Sequence, residues 1–205
     1  MNEQKIIDSI SQERFDPYLT FCDRDKIKAL KLYQKNIEVS QAFYAPLSVL
    51  EITLRNKIDL SCREHFKSEK WLTEKLPPIL LKQVVDIEVR LTKSRKTITN
   101  SKILAELNFG FWTTLFNRQY AKIFWKPLHR IFPNVPKEKR KRTEISSRLN
   151  HIRTFRNRIY HYEPIIWDLN ALRQKSQEID EITHWLDNDT SGWAKQFNQI
   201  DRLLE

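Results

Sequence analysis

Only two glycines, Gly110 and Gly192, occur in 205 residues, and this scarcity constrains the fold more than any other feature. Hairpin turns and nucleotide-cradling loops lean on glycine for conformations other residues adopt at a cost, whereas helices do not need it. The chain is therefore expected to be all-α, and the pattern argues against a Rossmann or P-loop fold. Core material is plentiful. Eleven Phe, six Tyr and six Trp within 40% hydrophobic residues place the chain among folded proteins. The length suits a single domain over residues 1–205, with residues 1–22, which begin polar and mixed in charge, as a loosely attached N-terminal segment.

Apolar residues recur at helical spacing along the whole chain. Ile27, Leu30, Leu32, Tyr33 and Ile37 mark a first helix, which Asp23 or Asp25 can cap. Pro46 fits the first turn of a second, running through Leu47, Leu50, Ile52, Leu54 and Ile58 toward Phe66. Pro77 and Pro78 open a third, carried to about Lys93 by Ile79, Leu80, Val84, Ile87 and Leu91. A fourth region from Ser101 to Trp125 holds Gly110 as a break or a close-packing point. Pro127, Pro133 and Pro136 make residues 126–136 read as a connection with little regular structure. An amphipathic helix then runs to Tyr162 and stops before Pro164; two more patterns cover residues 168–186 and 191–204, the last with Trp193, Phe197, Ile200 and Leu203 on one face.

The formal charge is +10, which suits a surface that meets polyanions, although basic proteins also use such charge for solubility. Cys22 and Cys62 are too few for a disulfide framework, and no Cys/His spacing points to a metal. No cofactor is expected. The N-terminus resembles neither a signal nor a transit peptide, and no apolar run approaches the ~20 residues that span a bilayer, so a cytoplasmic location without membrane contact is expected.

The helix ending near Tyr162 carries the most chemistry. Ile145, Leu149, Ile152, Phe155, Ile159 and Tyr162 form its apolar stripe, while Arg156, Tyr160, Arg153, Asn157, Asn150 and His161 share an arc of roughly 140° on the other side. Such a set fits metal-free cleavage of a phosphodiester. An imidazole, with an unperturbed pKa of ~6.5, can take the proton of an attacking 2′-hydroxyl. A guanidinium such as Arg156 can meet the charge gathering on the phosphorane. Asn157, one turn before His161, can orient the ring or a phosphate oxygen.

The string RNRIYHYEPI, Arg156 to Ile165, resembles the R-N-x-x-x-H signature of the HEPN superfamily in the form used by Abi-like (abortive infection) proteins. LSVLEITLRNKI, Leu47 to Ile58, and LNFGFWTTLF, Leu107 to Phe116, resemble the same family. The resemblance implies a HEPN-like helical bundle with additional packing helices, a metal-independent endoribonuclease, and a role in phage defence or as the toxin of a toxin–antitoxin pair. It carries the catalytic roles onto Arg156, Asn157 and His161. It also implies RNA as substrate, and a structured RNA as a neutralising partner. A single imidazole cannot easily be base for the attacking oxygen and acid for the leaving one, and HEPN proteins answer this by pairing two such helices, so a homodimer with a composite site is expected. The alternative is a non-catalytic RNA-binding bundle that sequesters a structured RNA.

Other residues admit two readings. Arg55 and Asn56 echo Arg156 and Asn157, but Leu60 stands where the histidine would fall; the pair either binds phosphate or ties helices together. Lys137, Lys139, Arg140, Lys141 and Arg142 either guide RNA toward the site by counterion release or form a solvated helix start. Arg153 and Tyr160 are further RNA-binding candidates. Trp112 and Trp125 can stack on bases, but their apolar neighbours favour core packing. Glu163 can restrain Arg158.

Overall fold

The computed structural model describes residues 2–204, among which there is no strand. Among the described residues twelve α-helices follow one another: α1 (Glu3–Ile10), α2 (Gln12–Phe21), α3 (Lys26–Phe66), α4 (Trp71–Glu74), α5 (Pro78–Lys93), α6 (Asn100–Glu106), α7 (Phe109–Thr114), α8 (Ala121–Leu128), α9 (Arg142–Tyr160), α10 (Leu169–Leu186), α11 (Asn188–Lys195) and α12 (Ile200–Leu203). The all-α expectation holds. Among the described residues no helix is long and apolar enough to cross a membrane.

The axis of the fold is α3, against which α1, α2, α4, α7, α8, α10, α11 and α12 all pack. Of the two capping candidates, Asp25 starts it, accepting from the N–H groups of Ile27 and Lys28 at 3.0 and 3.1 Å. The helix does not restart at Pro46 but runs through it for 41 residues. A proline inside a helix costs about 3 kcal/mol. Yet Val39, Phe43, Leu47, Leu50, Leu54 and Ile58 form one buried stripe on both sides of it, and each large apolar side chain contributes about 1.5–3 kcal/mol. Continuous burial outweighs the proline.

In the N-terminal segment, expected to be loosely attached, residues 3–21 pack onto the bundle. Ile7, Phe15, Tyr18 and Leu19 are buried, and α1 and α2 lie against α3. The fourth region is also more broken than its pattern implied. Leu107 is extended, Asn108 caps α7 by accepting from Phe111 N–H at 2.9 Å, and a short turn separates α7 from α8. Gly110 sits inside the first turn of α7 as a point of close packing: a Cβ there would stand 3.0 Å from Asn108 Oδ1 and 3.7 Å from Arg153 Cδ. Residues 126–136 are packed structure rather than an irregular connection, because α8 continues through Pro127 and Leu128, Ile131, Phe132 and Val135 are buried. At the C-terminus α10 begins at its Asp168 cap. The last expected helix divides into α11 and α12, leaving Trp193 and Phe197 exposed while Ile200 is buried.

Between α7 and α10 lies α9. Ile145, Leu149, Ile152, Phe155 and Ile159 bury its apolar stripe, and Phe155 meets Phe43 of α3 edge-on at 4.8 Å. Tyr162 is not part of that stripe: it is 75% exposed, because the helix has ended two residues earlier.

Candidate functional site

The geometry of the site follows from how α9 stops. His161 is the C-cap residue, its N–H donating to Asn157 O at 2.9 Å. Tyr162 N–H donates to Ile159 O and Glu163 N–H to Arg158 O, with Tyr162 in the left-handed region at φ 57°. This is a Schellman turn, usually built on glycine; in a chain with two glycines, a tyrosine takes the position. Pro164 follows and prevents any continuation. The stop is braced from outside by Arg14 of α2, whose Nη1 donates to Tyr162 O at 3.0 Å and to His161 O at 3.5 Å.

Arg156 faces α3. Its Nε and Nη2 lie 3.2 and 3.1 Å from Glu51 Oε2, with both side chains only about a fifth exposed, and its guanidinium stacks over the Tyr160 ring at 4.1 Å. Tyr160 in turn lies 6.3 Å from Tyr44 of α3. Partial burial raises the Tyr160 phenol above its ordinary pKa while the Arg156 cation pulls the other way, so the hydroxyl remains a donor near neutrality. Glu51 holds one edge of the guanidinium, and the Nη1 end keeps its donors.

Asn157 and His161 stand on the exposed side of α9. Among the described residues neither side chain makes a hydrogen bond or an ion pair. Five positions apart, Arg156 and His161 leave the helix at directions roughly 140° from each other, and no hydrogen bond joins them. Asn150 turns back on its own helix, donating to Ser146 O at 2.8 Å. Arg153 is half-buried beside α7. Glu163 does restrain Arg158, at 3.2 Å and largely in solvent, where the pair contributes little.

Other candidates are occupied elsewhere. Arg55 Nε donates to Asn56 Oδ1 at 3.2 Å, so these two pair with one another rather than tying helices together. In the basic run, three members have structural tasks. Lys139 pairs with Glu181 at 2.8 Å, Arg140 donates to the carbonyls of Pro133 and Val135, and Arg142 donates to Phe116 O at 2.9 Å. Lys137 and Lys141 remain exposed. Trp112 is buried and donates to Leu107 O at 3.3 Å, which makes it a core residue. No group of three His, Cys, Asp or Glu side chains among the described residues is placed to hold a metal ion.

The chain matches no family model, curated protein or solved structure. Three participants escaped the sequence reading: Glu51, Tyr44 and Arg14. Glu51 lies within the string LSVLEITLRNKI, one turn before Arg55, where an i,i+4 partner is the local expectation; its actual partner is 105 residues away. Tyr44 and Arg14 belong to helices that meet the end of α9 only in the folded chain.

Proposed function

We propose that this protein is a metal-independent endoribonuclease of the HEPN type, acting in phage defence or as a toxin. The observation that carries the reading is an imidazole and an amide, His161 and Asn157, exposed one turn apart with no hydrogen-bond or ion-pair partner among the described residues, on the same helix as a guanidinium, Arg156, already oriented by Glu51 and Tyr160. The wide angle between Arg156 and His161 favours a site completed by a second copy of the chain.

In that site, one His161 takes the proton from a ribose 2′-hydroxyl as its oxygen attacks the adjacent phosphorus. The bond from phosphorus to the 5′-oxygen breaks, and the second His161, starting protonated, supplies that oxygen with a proton. Arg156 stabilises the charge on the non-bridging oxygens, and Asn157 orients the ring or an oxygen. The products are a 2′,3′-cyclic phosphate and a 5′-hydroxyl.

Incubation of the pure protein with single-stranded RNA in EDTA tests this. Cyclic phosphate ends are expected, and His161→Ala abolishes them without altering the helical circular dichroism, because the residue is exposed. Intact RNA, or fragments ending in a 3′-hydroxyl, refute the reading. A second reading, a bundle that sequesters a structured RNA without cutting it, draws on the Glu51 pair, which already neutralises much of the Arg156 charge. Its mark is tight binding that weakens steeply with salt and survives His161→Ala.

A further inference from the structure

A groove of about 700 Å³ opens between α2, α3 and the end of α9, within the size range of small-molecule sites, about 300–1,000 Å³. Tyr33, Tyr44, Tyr160 and Tyr162 line it, four of the six tyrosines in the chain. The walls are mainly apolar, with the amides and hydroxyl of Asn36, Gln41 and Ser40 among them, and no carboxylate lines the groove. Arg14 supplies a cation at its edge, held by the carbonyls of His161 and Tyr162, and forms no ion pair among the described residues.

Three of the rings reach solvent, two of them with a guanidinium over the ring, Arg156 at 4.1 Å on Tyr160 and Arg14 at 5.9 Å on Tyr162. Tyr44, Tyr160 and Tyr162 are 58, 40 and 75% exposed, more than apolar bodies of that size require if packing alone placed them. Of the six non-glycine residues with positive φ among the described residues, Tyr162 is the only aromatic, so a bulky ring occupies a position where small residues sit most easily. Tyr160 joins the groove directly to the proposed site, since its ring also stacks on Arg156.

We infer that this groove receives an unpaired base of single-stranded RNA next to the phosphate held by Arg156, with the tyrosine rings as stacking faces and Arg14 near the adjoining backbone phosphate. The inference rests on the ribonuclease reading for the identity of the phosphate, and on the groove alone for the base. Aromatic faces with a cation at their edge are what flexible single strands are recognised by. A lipid chain or an apolar peptide needs apolar walls but not flat π faces.

That difference defines the experiment. A fluorescent 2′-O-methyl oligoribonucleotide of about ten nucleotides, a length typical of single-strand sites, cannot be cut because its attacking hydroxyl is blocked. Its binding to the full chain is measured by anisotropy beside an abasic strand of the same length. The wild type is expected to bind the base-bearing strand about tenfold more tightly, the effect of one base–aromatic stack. Tyr44→Leu and Tyr162→Leu remove most of that preference, and Tyr44→Phe retains it. Both sites are exposed, so circular dichroism and the unfolding transition stay unchanged. Equal affinity for the two strands, or full preference in both leucine variants, overturns the inference and leaves an apolar ligand as the occupant. A fall in sedimentation size with Tyr44→Leu also overturns it, placing a second copy of the chain in the groove. The cleavage assay is separate: base-dependent binding with intact natural RNA keeps the groove and sinks the nuclease, while cleavage with base-independent binding does the reverse.

Discussion

The ion pair between Glu51 and Arg156 makes a quantitative demand. Each side chain is about one-fifth exposed, between surface pairs, worth about 0.2–1 kcal/mol, and buried pairs, where loss of one partner costs about 3–5 kcal/mol. Glu51→Ala should therefore destabilise the chain by about 2 kcal/mol. Arg156→Ala should cost more, about 3 kcal/mol, because it also removes the stack on Tyr160 at 4.1 Å, and a cation–π contact contributes about 0.5–2 kcal/mol. The double variant should cost less than the sum, with a coupling of about 1.5 kcal/mol. For a chain of this size each kcal/mol moves the unfolding midpoint by about 2–4 °C, so urea and thermal unfolding followed by circular dichroism resolve all three variants. Equal costs for the two single variants would contradict the stacking contribution. A coupling below about 0.5 kcal/mol would contradict the pairing itself. The same numbers bear on activity: Arg156→Ala loosens the helix that carries His161, so lost cleavage in that variant does not by itself assign a role to the guanidinium. Glu51→Gln preserves shape, removes the carboxylate charge and separates the two effects.

Two further predictions concern the scaffold. Tyr18 is fully buried, its hydroxyl makes no hydrogen bond among the described residues, and burial pushes its pKa up to about 12; Tyr18→Phe should raise stability by about 1 kcal/mol, and a loss of that size in urea unfolding refutes the packing described for α2. Asp187 caps α11 through Thr190 N–H and pairs with Lys57, which together lower its pKa from 3.8 to about 2. Because the folded value is the depressed one, its contribution is complete above pH 3.8 and fades as the pH falls toward 2. Asp187→Ala should thus cost about 1 kcal/mol at neutral pH and progressively less across that window, and a cost independent of pH argues against the cap.

Much of the scaffold was legible because helices write their contacts locally. The stripe from Ile145 to Ile159 and the starts at Asp25, Pro78 and Asp168 all appear where spacing and capping chemistry put them. Pro46 misled because a proline is a strong local signal and the burial that overrides it is distributed over five helical turns. Phe15, Tyr18 and Leu19 show the opposite case: their helical spacing is present in the sequence, but it is short and follows a polar stretch, so its burial against α3 has no local mark. The site was legible only in part. Arg156, Asn157 and His161 lie together in the chain, whereas the carboxylate that holds Arg156 comes from more than a hundred residues away, and the tyrosine groove draws on residues 33, 44, 160 and 162. Nothing local announces such convergence. In the basic run, charge was visible and its use was not: carbonyls at Phe116, Pro133 and Val135 claim guanidiniums that composition alone leaves free.

Arg14 ties α2 to the end of α9, and this has a practical consequence. Because its guanidinium grips the carbonyls of residues 161 and 162, a shortened version that starts beyond α2 would keep every residue of the R-N-x-x-x-H string and yet let the imidazole swing on a frayed hinge. A clone designed around that string alone would then carry its defect 147 positions upstream of its histidine.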